Sequence, residues 1–399
     1  MLLSGQQQHQ QQHQQYTCRG AMHSPVRQQS APNATLKQNG GWCHGPSIAP
    51  ARPMFPNSFS PSCQQPLSFP APTFTAGRRI VTSGCPAATA GGRGDVEYTL
   101  VSEATGRRWV AVKSVRKCQF GQVRQAVEIL KTVTGEWFPA PGPPKYFAIK
   151  ELEMERMIRM QGRSHEDPLR EVAALQYLSR SEHRNVQQCT EALTDNERIY
   201  IVTPFCDGGE VFDVVADKGR YHEAEARPLF RQALEGLLFL KQHGVCHRDV
   251  SLENLLLHQG NTVKIIDLGL ALRVPQTQDG SAVPLPPQGA CGKQFYMSPE
   301  VLTSSGQFDG FAVDIWACGI MLFVMLTGVP PFEIAMPSQD QRCRVVAVER
   351  RLGELLKVWK MSLSRQAVDL MQSCLSFDPA CRPTLEELLC HSWVVGAMS

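Results

Sequence analysis

Apolar residues change their spacing along the chain. Up to roughly residue 95 the chain is of low complexity, and apolar residues set up no regular period. Near Val96 short runs of alternating apolar and polar residues begin, the period of half-buried strands. Val263–Ile266 is predicted as one such apolar strand. From Leu169 onward the spacing lengthens and amphipathic helices are predicted to dominate. The longest apolar run, Phe311 to Val329, contains Asp314 and ends in Thr-Gly-Val-Pro-Pro, so it reads as a buried core helix and not a membrane span. The last helix-like segment is Thr384 to Val395.

This pattern divides the chain. Residues 1–95 are expected to be a low-complexity, disordered tail. Gln6 to Gln15 is a glutamine tract broken by His9 and His13, and a Pro/Ser/Gly/Ala-rich stretch follows. Such composition buries too little apolar surface to offset chain entropy. The two histidines read as part of a solvated tract, not as metal ligands. Residues 109–395 are expected to be one folded domain, with a strand-rich lobe at about 109–205 and a helical lobe at about 206–395. The 399 residues are enough for such a bilobal unit plus a tail.

Composition narrows the class. The net charge of +3 is too small to argue for nucleic acid or an anionic membrane. The 14 cysteines are scattered without C-x-x-C pairs, which favours reduced thiols and a cytoplasmic or nuclear setting. Met1-Leu2-Leu3 runs into serine, glycine and glutamines, so no apolar signal core is expected.

The chemistry concentrates in His247-Arg248-Asp249-Val250-Ser251-Leu252-Glu253-Asn254, an H-R-D-x-x-x-x-N loop. Downstream come Asp267-Leu268-Gly269, Ser298-Pro299-Glu300, Asp314-Ile315-Trp316 and Cys381-Arg382-Pro383; upstream lies Phe147-Ala148-Ile149-Lys150. Each triplet alone is weak. In this order they resemble the eukaryotic protein kinase family, serine/threonine type, from about Trp109 to Val395. The resemblance implies an α+β bilobal fold, with a β-rich N-lobe and a mostly helical C-lobe. It implies ATP and Mg²⁺ as cofactors and protein substrates.

Carried onto this sequence, the resemblance gives Asp249 the role of base toward a substrate hydroxyl. Asn254 and Asp267 would hold Mg²⁺, with Leu268 replacing the usual phenylalanine. Lys150 would orient the triphosphate and pair with Glu171 of the following helix. Lys113, in Trp109-Val110-Ala111-Val112-Lys113, competes for that role. Lys150 is preferred because it stands close enough to Glu171 for one connection and half a helix; on that register Trp109–Val115 would be the first strand, with Lys113 an exposed strand lysine, and Phe147–Lys150 and Tyr200–Cys206 later strands. Glu300 would pair with Arg382, and Asp314 would anchor the backbone of the catalytic loop. Thr203 falls at the gatekeeper position beside Ala148, and Pro204, Phe205 and Cys206 would meet adenine. Glu210 and Glu253 match carboxylates that meet the ribose or basic substrate residues, which would favour arginine upstream of the target.

Three departures from the family stand out. The phosphate loop, Arg116 to Val123, keeps only Gly121 and Val123; Arg116 and Cys118 fill the first two glycine positions. That is expected to weaken or reshape the nucleotide grip. Cys118 reads as an inert thiol. The usual phosphate-acceptor position of the activation segment is Gly289, so activation is expected not to need phosphorylation there; Ser281 and Thr277 are the nearest upstream hydroxyls. Finally, Ser251 replaces the catalytic-loop lysine, while Lys293 replaces a threonine across from it. Lysine and hydroxyl are exchanged, so the Lys293 ammonium is expected near the γ-phosphate with Ser251 beside it. The functional alternative is a weakly active kinase or a pseudokinase scaffold. A glutamine-tract interaction protein explains too little of the chain. The substrate, upstream regulator and oligomeric state are left open.

Overall fold

The computed structural model describes residues 65–80, 98–132, 134–139, 143–278, 281–304 and 306–396. The glutamine tract and the rest of 1–64 lie outside these residues. The strand-rich part contains β1 (Thr75–Ile80), β2 (Tyr98–Ser102), β3 (Arg108–Cys118), β4 (Gly121–Lys131), β5 (Trp137–Pro139), β6 (Tyr146–Glu153), β7 (Glu191–Thr194) and β8 (Arg198–Pro204). The order is β3-β2-β1-β7-β8-β6-β4-β5, and a further β3–β4 pairing closes seven of the strands into a ring. All pairs are antiparallel except β1–β7, which is parallel.

Two expectations are corrected here. Trp109–Val115 lies in the third described strand, not the first. Part of the expected tail is folded: Thr75–Ile80 fills the gap between β2 and β7, with Gly77 opposite Ser102 and Thr75 opposite Leu193. The domain therefore begins well before residue 109. Strand pairing explains why, since β1 satisfies backbone groups on two neighbours that would otherwise stand at sheet edges.

The ring encloses its own core. Alternate residues of its strands point inward, and Tyr98, Leu100, Trp109, Ala111, Ala126, Phe147, Ile149, Leu193, Tyr200 and Val202 form one buried cluster. The residues between them, including Ala148 and Lys150, face the other way toward the cleft. One polar network shares the interior: the Tyr98 hydroxyl donates to Glu151, whose carboxylate also lies 2.7 Å from Arg124 Nε.

Two helices follow β6: α1 (Met154–Met160) and α2 (Pro168–Leu178). Helix α2 starts where Asp167 accepts from Leu169 N and Arg170 N, with Pro168 in the first turn. The helical part is built on α3 (Val211–Lys218), α4 (Glu223–Gln242), α5 (Pro299–Thr303) and α6 (Gly310–Thr327). Helix α4 buries Ala226, Leu229, Phe230, Ala233, Leu234, Leu237 and Leu240, one face at helical spacing. Helix α6 is apolar apart from Asp314 and 94% buried, the core helix expected from its sequence. It is capped by Asp309 and ends at Gly328 with φ 80. Thr384–Val395 forms two short helices, Leu385–Cys390 and Ser392–Val395.

Candidate active site

Two small antiparallel pairs bring the chemical residues together. β9 (Val245–Cys246) pairs with β12 (Leu272–Arg273), and β10 (Leu255–His258) with β11 (Thr262–Ile265). The loop 247–254 therefore emerges beside the loop that carries Asp267. Buried Asp314 of α6 fixes the first of these, accepting from His247 N at 2.7 Å and Arg248 N at 2.8 Å. Burial pushes the Asp314 carboxyl up to about 6, against the pull of those donors and of His247. His247 ties the two loops together. Its Nε2 donates to Ile266 O at 3.0 Å, while Nδ1 accepts from Asp249 N at 3.2 Å.

Asp249 and Asn254 are held against each other. Asn254 Nδ2 donates to Asp249 Oδ2 and to Asp249 O, both at 2.7 Å. That leaves the amide oxygen of Asn254 available to a cation. Lys293 completes the group, as its exchange with Ser251 predicts. Its Nζ lies 2.8 Å from Ser251 Oγ and 3.1 Å from Asp249 Oδ2, and its backbone N–H donates to Asp249 Oδ1 at 3.2 Å.

Across the cleft Lys150 Nζ is 2.6 Å from Glu171 Oε2 and 4.0 Å from Asp267 Oδ2. Burial opposes the Lys150 charge, yet Asp267, Glu171 and Glu166 together hold its pKa well above the ordinary value. Burial pushes the Glu171 carboxyl up to about 7, with Lys150 pulling the other way. For Asp267 burial is again the largest influence, but Lys150 outweighs it with the help of the Gly269 N–H, and the pKa is lowered. Lys113 is exposed and paired in register with Gln125, and the lysine that meets Glu171 is Lys150.

Asn254 and Asp267 offer hard oxygen donors of the kind Mg²⁺ prefers. Glu166, Glu171 and Asp267 also place one carboxylate oxygen each within 4.8 Å of one another. Sequence reasoning missed Glu166. It precedes the Asp-Pro start of α2, a legible helix signal, but its reach toward the Asp267 loop depends on tertiary packing.

On the nucleotide side, Val123 pairs with Lys150, and Ala148 with Thr203, so these four line one face of the sheet. Phe205 N donates to Tyr146 O at 3.1 Å, and the Cys206 thiol is buried, its pKa pushed up to about 11 by that burial. The phosphate loop is a tight hairpin in which Cys118 faces Gly121 across the two-residue turn Gln119-Phe120. Gly121 survives for a steric reason: a Cβ there would lie 2.0 Å from Glu151 O. Phe120 is buried in the main core, and burial raises the Cys118 thiol, which supports the inert reading of that cysteine. Arg116, at the lost first glycine, forms an ion pair with Glu210. The carboxylate expected to meet a ribose or a basic peptide is thus already engaged by the chain's own loop.

The activation segment has its own substitutions. Arg248 Nη2 lies 2.6 Å from Cys291 Sγ, and Nη1 donates to Leu270 O at 3.4 Å. Gly289 has φ 79, and a Cβ there would lie 2.7 Å from His165 Cε1, so the position holds no acceptor and little room for one. Glu300 and Arg382 form the expected pair as a bidentate bridge of 2.6 and 2.9 Å around a fully buried guanidinium.

A strand-built lobe over a helical lobe, with these loops between them, is the architecture of a protein kinase. The family model described as protein kinase domain matches residues 142–394, and the chain belongs to that family. Curated relatives agree. The chain is 36% identical over 248 residues to CBL-interacting protein kinase 21 of Oryza sativa subsp. japonica, covering 62% of this chain and 44% of that protein. It is 38% identical over 186 residues to CBL-interacting protein kinase 9 of the same species, covering 47% and 39%. To CBL-interacting serine/threonine-protein kinase 15 of Arabidopsis thaliana it is 33% identical over 247 residues, covering 62% and 54%. The chain spans about half the length of the curated relatives it matches.

Proposed function

We propose that this chain is an ATP-dependent serine/threonine protein kinase that transfers the γ-phosphate to protein hydroxyls. One observation carries the reading: the Lys150–Glu171–Asp267 group and the Asp249–Asn254–Lys293 group face a single cleft. Lys150, kept charged by three carboxylates, orients the α- and β-phosphates. Asp249 accepts the proton of the substrate hydroxyl, and its orientation is set by Asn254 and Lys293. Asn254 and Asp267 would hold Mg²⁺, which when bound supplies positive charge at the phosphates. Lys293 supplies the fixed cation that the family usually draws from the position of Ser251, and Ser251 holds the ammonium in place. Val123, Ala148, Thr203, Phe205, Cys206 and Gly121 form the walls of the nucleotide site.

A preference for arginine upstream of the target rests on Glu210 and Glu253. Glu253 is half-buried beside the Tyr296 hydroxyl, and Glu210 would have to release Arg116. The free thiols of the described cysteines suit a cytoplasmic or nuclear setting. The test is incorporation of labelled phosphate from MgATP into a serine peptide with upstream arginines. Transfer that disappears in Asp249→Asn supports the reading; absence of transfer by the wild-type chain overturns it. The second reading, a weakly active kinase or pseudokinase scaffold, is favoured by the glycine-poor loop tied to Glu210. MgATP binding without turnover would select it.

A further inference from the structure

The stretch before β1 runs along the outer side of α2 and reaches the segment that follows Asp267. Leu67 N donates to Arg273 O at 3.0 Å, and Arg273 Nη1 donates to Ser68 O at 2.9 Å. The Arg273 guanidinium lies 4.7 Å from the Tyr177 ring centre, and the Phe69 ring packs edge-on against the same tyrosine at 6.0 Å. Further on, the Gln176 amide clasps the strap backbone from both sides: Thr73 N donates to Oε1 at 2.9 Å, and Nε2 donates to Thr73 O at 2.6 Å. The strap then enters β1 and is fixed in the closed ring.

We propose that residues 67–76 are a positioning strap for the phosphate-transfer machinery. Apart from the sheet contacts of Thr75 and Ala76, its contacts fall on α2, which carries Glu171, and on β12, which follows the Asp267 loop. Gln176 and Tyr177 lie on α2 about one and a half turns beyond Glu171, close enough for a helix to transmit position rigidly. Arg273 sits in β12, which follows Asp267 and pairs with the strand that leads into His247. One run of chain therefore fixes the Glu171 helix relative to the Asp267 loop. The two-point amide clasp fixes α2 along its axis, and the Phe69–Tyr177–Arg273 stack fixes it sideways. Lys150 meets Glu171 at 2.6 Å only while α2 holds this place. Residues 67–76 touch none of the reacting atoms; they act through Glu171 and Asp267. The proposal rests on the kinase reading above for its consequence, but not for its geometry.

The full-length chain carrying Phe69→Ala, Gln176→Leu, or both tests this, with Phe69→Leu as the conservative change. Turnover at saturating MgATP and peptide is measured beside amide hydrogen exchange across the domain. Turnover is expected to fall about tenfold or more in the double variant, the scale of cost when a reacting group is displaced by a fraction of an ångström to an ångström. Exchange should quicken over 168–178 and at 272–273 while the α4 and α6 amides keep their wild-type rates. The KM for peptide should stay unchanged, and Phe69→Leu should behave as wild type. Faster exchange in α2 with unaltered turnover would overturn the proposal. So would unaltered exchange in α2, or an equal rise across the whole domain, which marks general stability only. If the wild-type chain transfers no phosphate, the kinase reading fails by itself, and the exchange pattern alone then decides for or against the strap.

Discussion

The Lys293 ammonium stands 3.1 Å from Asp249 Oδ2 and 2.8 Å from Ser251 Oγ, so one cation bridges the proposed base and the hydroxyl that replaces the family's usual lysine. If charge near the γ-phosphate matters more than the position it is attached to, the two residues should be exchangeable. Lys293→Thr is expected to lower kcat by about a hundredfold to a thousandfold, the range for losing one fixed electrostatic contact to a transition state. Adding Ser251→Lys to that variant should recover most of the loss. A double variant no faster than Lys293→Thr would show that the cation at 293 does not do this work. Steady-state kinetics with peptide and MgATP reads both.

Arg116 and Glu210 make a second testable pair. Arg116 is more than half exposed, with 58% of its side chain accessible, so the pair is worth little: about 0–1 kcal/mol. Replacing it with glycine should therefore lower the KM of an arginine-containing peptide only about twofold to fivefold. A peptide with alanine in place of the upstream arginines should show no change. Equal effects on both peptides would remove Glu210 from substrate recognition.

The raised Glu171 pKa sets a direction for pH. In the unfolded chain this carboxyl titrates at its ordinary value, while in the folded cleft burial holds it at about 7. As pH falls through that value Glu171 takes up a proton and the ion pair with Lys150 loosens. Activity should therefore drop on the acid side nearer pH 7 than an ordinary carboxylate would allow. Folding stability should not fall there on account of this group, because the folded state binds the proton more readily than the unfolded one. The kcat/KM profile of Glu171→Gln should be low and lack that acid limb. An acid limb of the same midpoint in the variant would assign it elsewhere.

The ring core offers a stability test. Trp109 is fully buried and packs edge-on against Phe147 at 6.3 Å between ring centres. Trp109→Ala should cost about 3–5 kcal/mol. Denaturant unfolding of the full chain would show it as a lower midpoint. A loss below about 1 kcal/mol would mean that the ring interior is not the packed core described.

Much of the site was legible because phosphate chemistry demands fixed residue types at short spacings. Asp249, Asn254, Asp267 and Lys150 could be placed from local motifs, and Lys293 from the paired departure at Ser251. What escaped the sequence were contacts between distant segments. Arg116 with Glu210 and Arg248 with Cys291 join residues whose local sequence gives no sign of the partner. Thr75–Ile80 reads as tail because Thr-Ala-Gly-Arg-Arg-Ile has little strand character alone and lies in a Pro- and Ser-rich stretch. Its strand state comes from two waiting neighbours, which propensity cannot report.

Closing the strands into a ring also decides how other chains can meet this lobe. An open sheet offers unpaired N–H and C=O groups along its outer strands, and an extended peptide can add itself there as another strand. Here seven strands have two neighbours within the ring, and among the described residues the unpaired sides are β5, residues 112–118 of β3 beyond its pairing with β2, and residues 78–80 of β1 beyond its pairing with β7. Ring closure therefore confines strand addition on this lobe to a few short sides, of which the exposed far end of β3, beside the phosphate loop, is the longest.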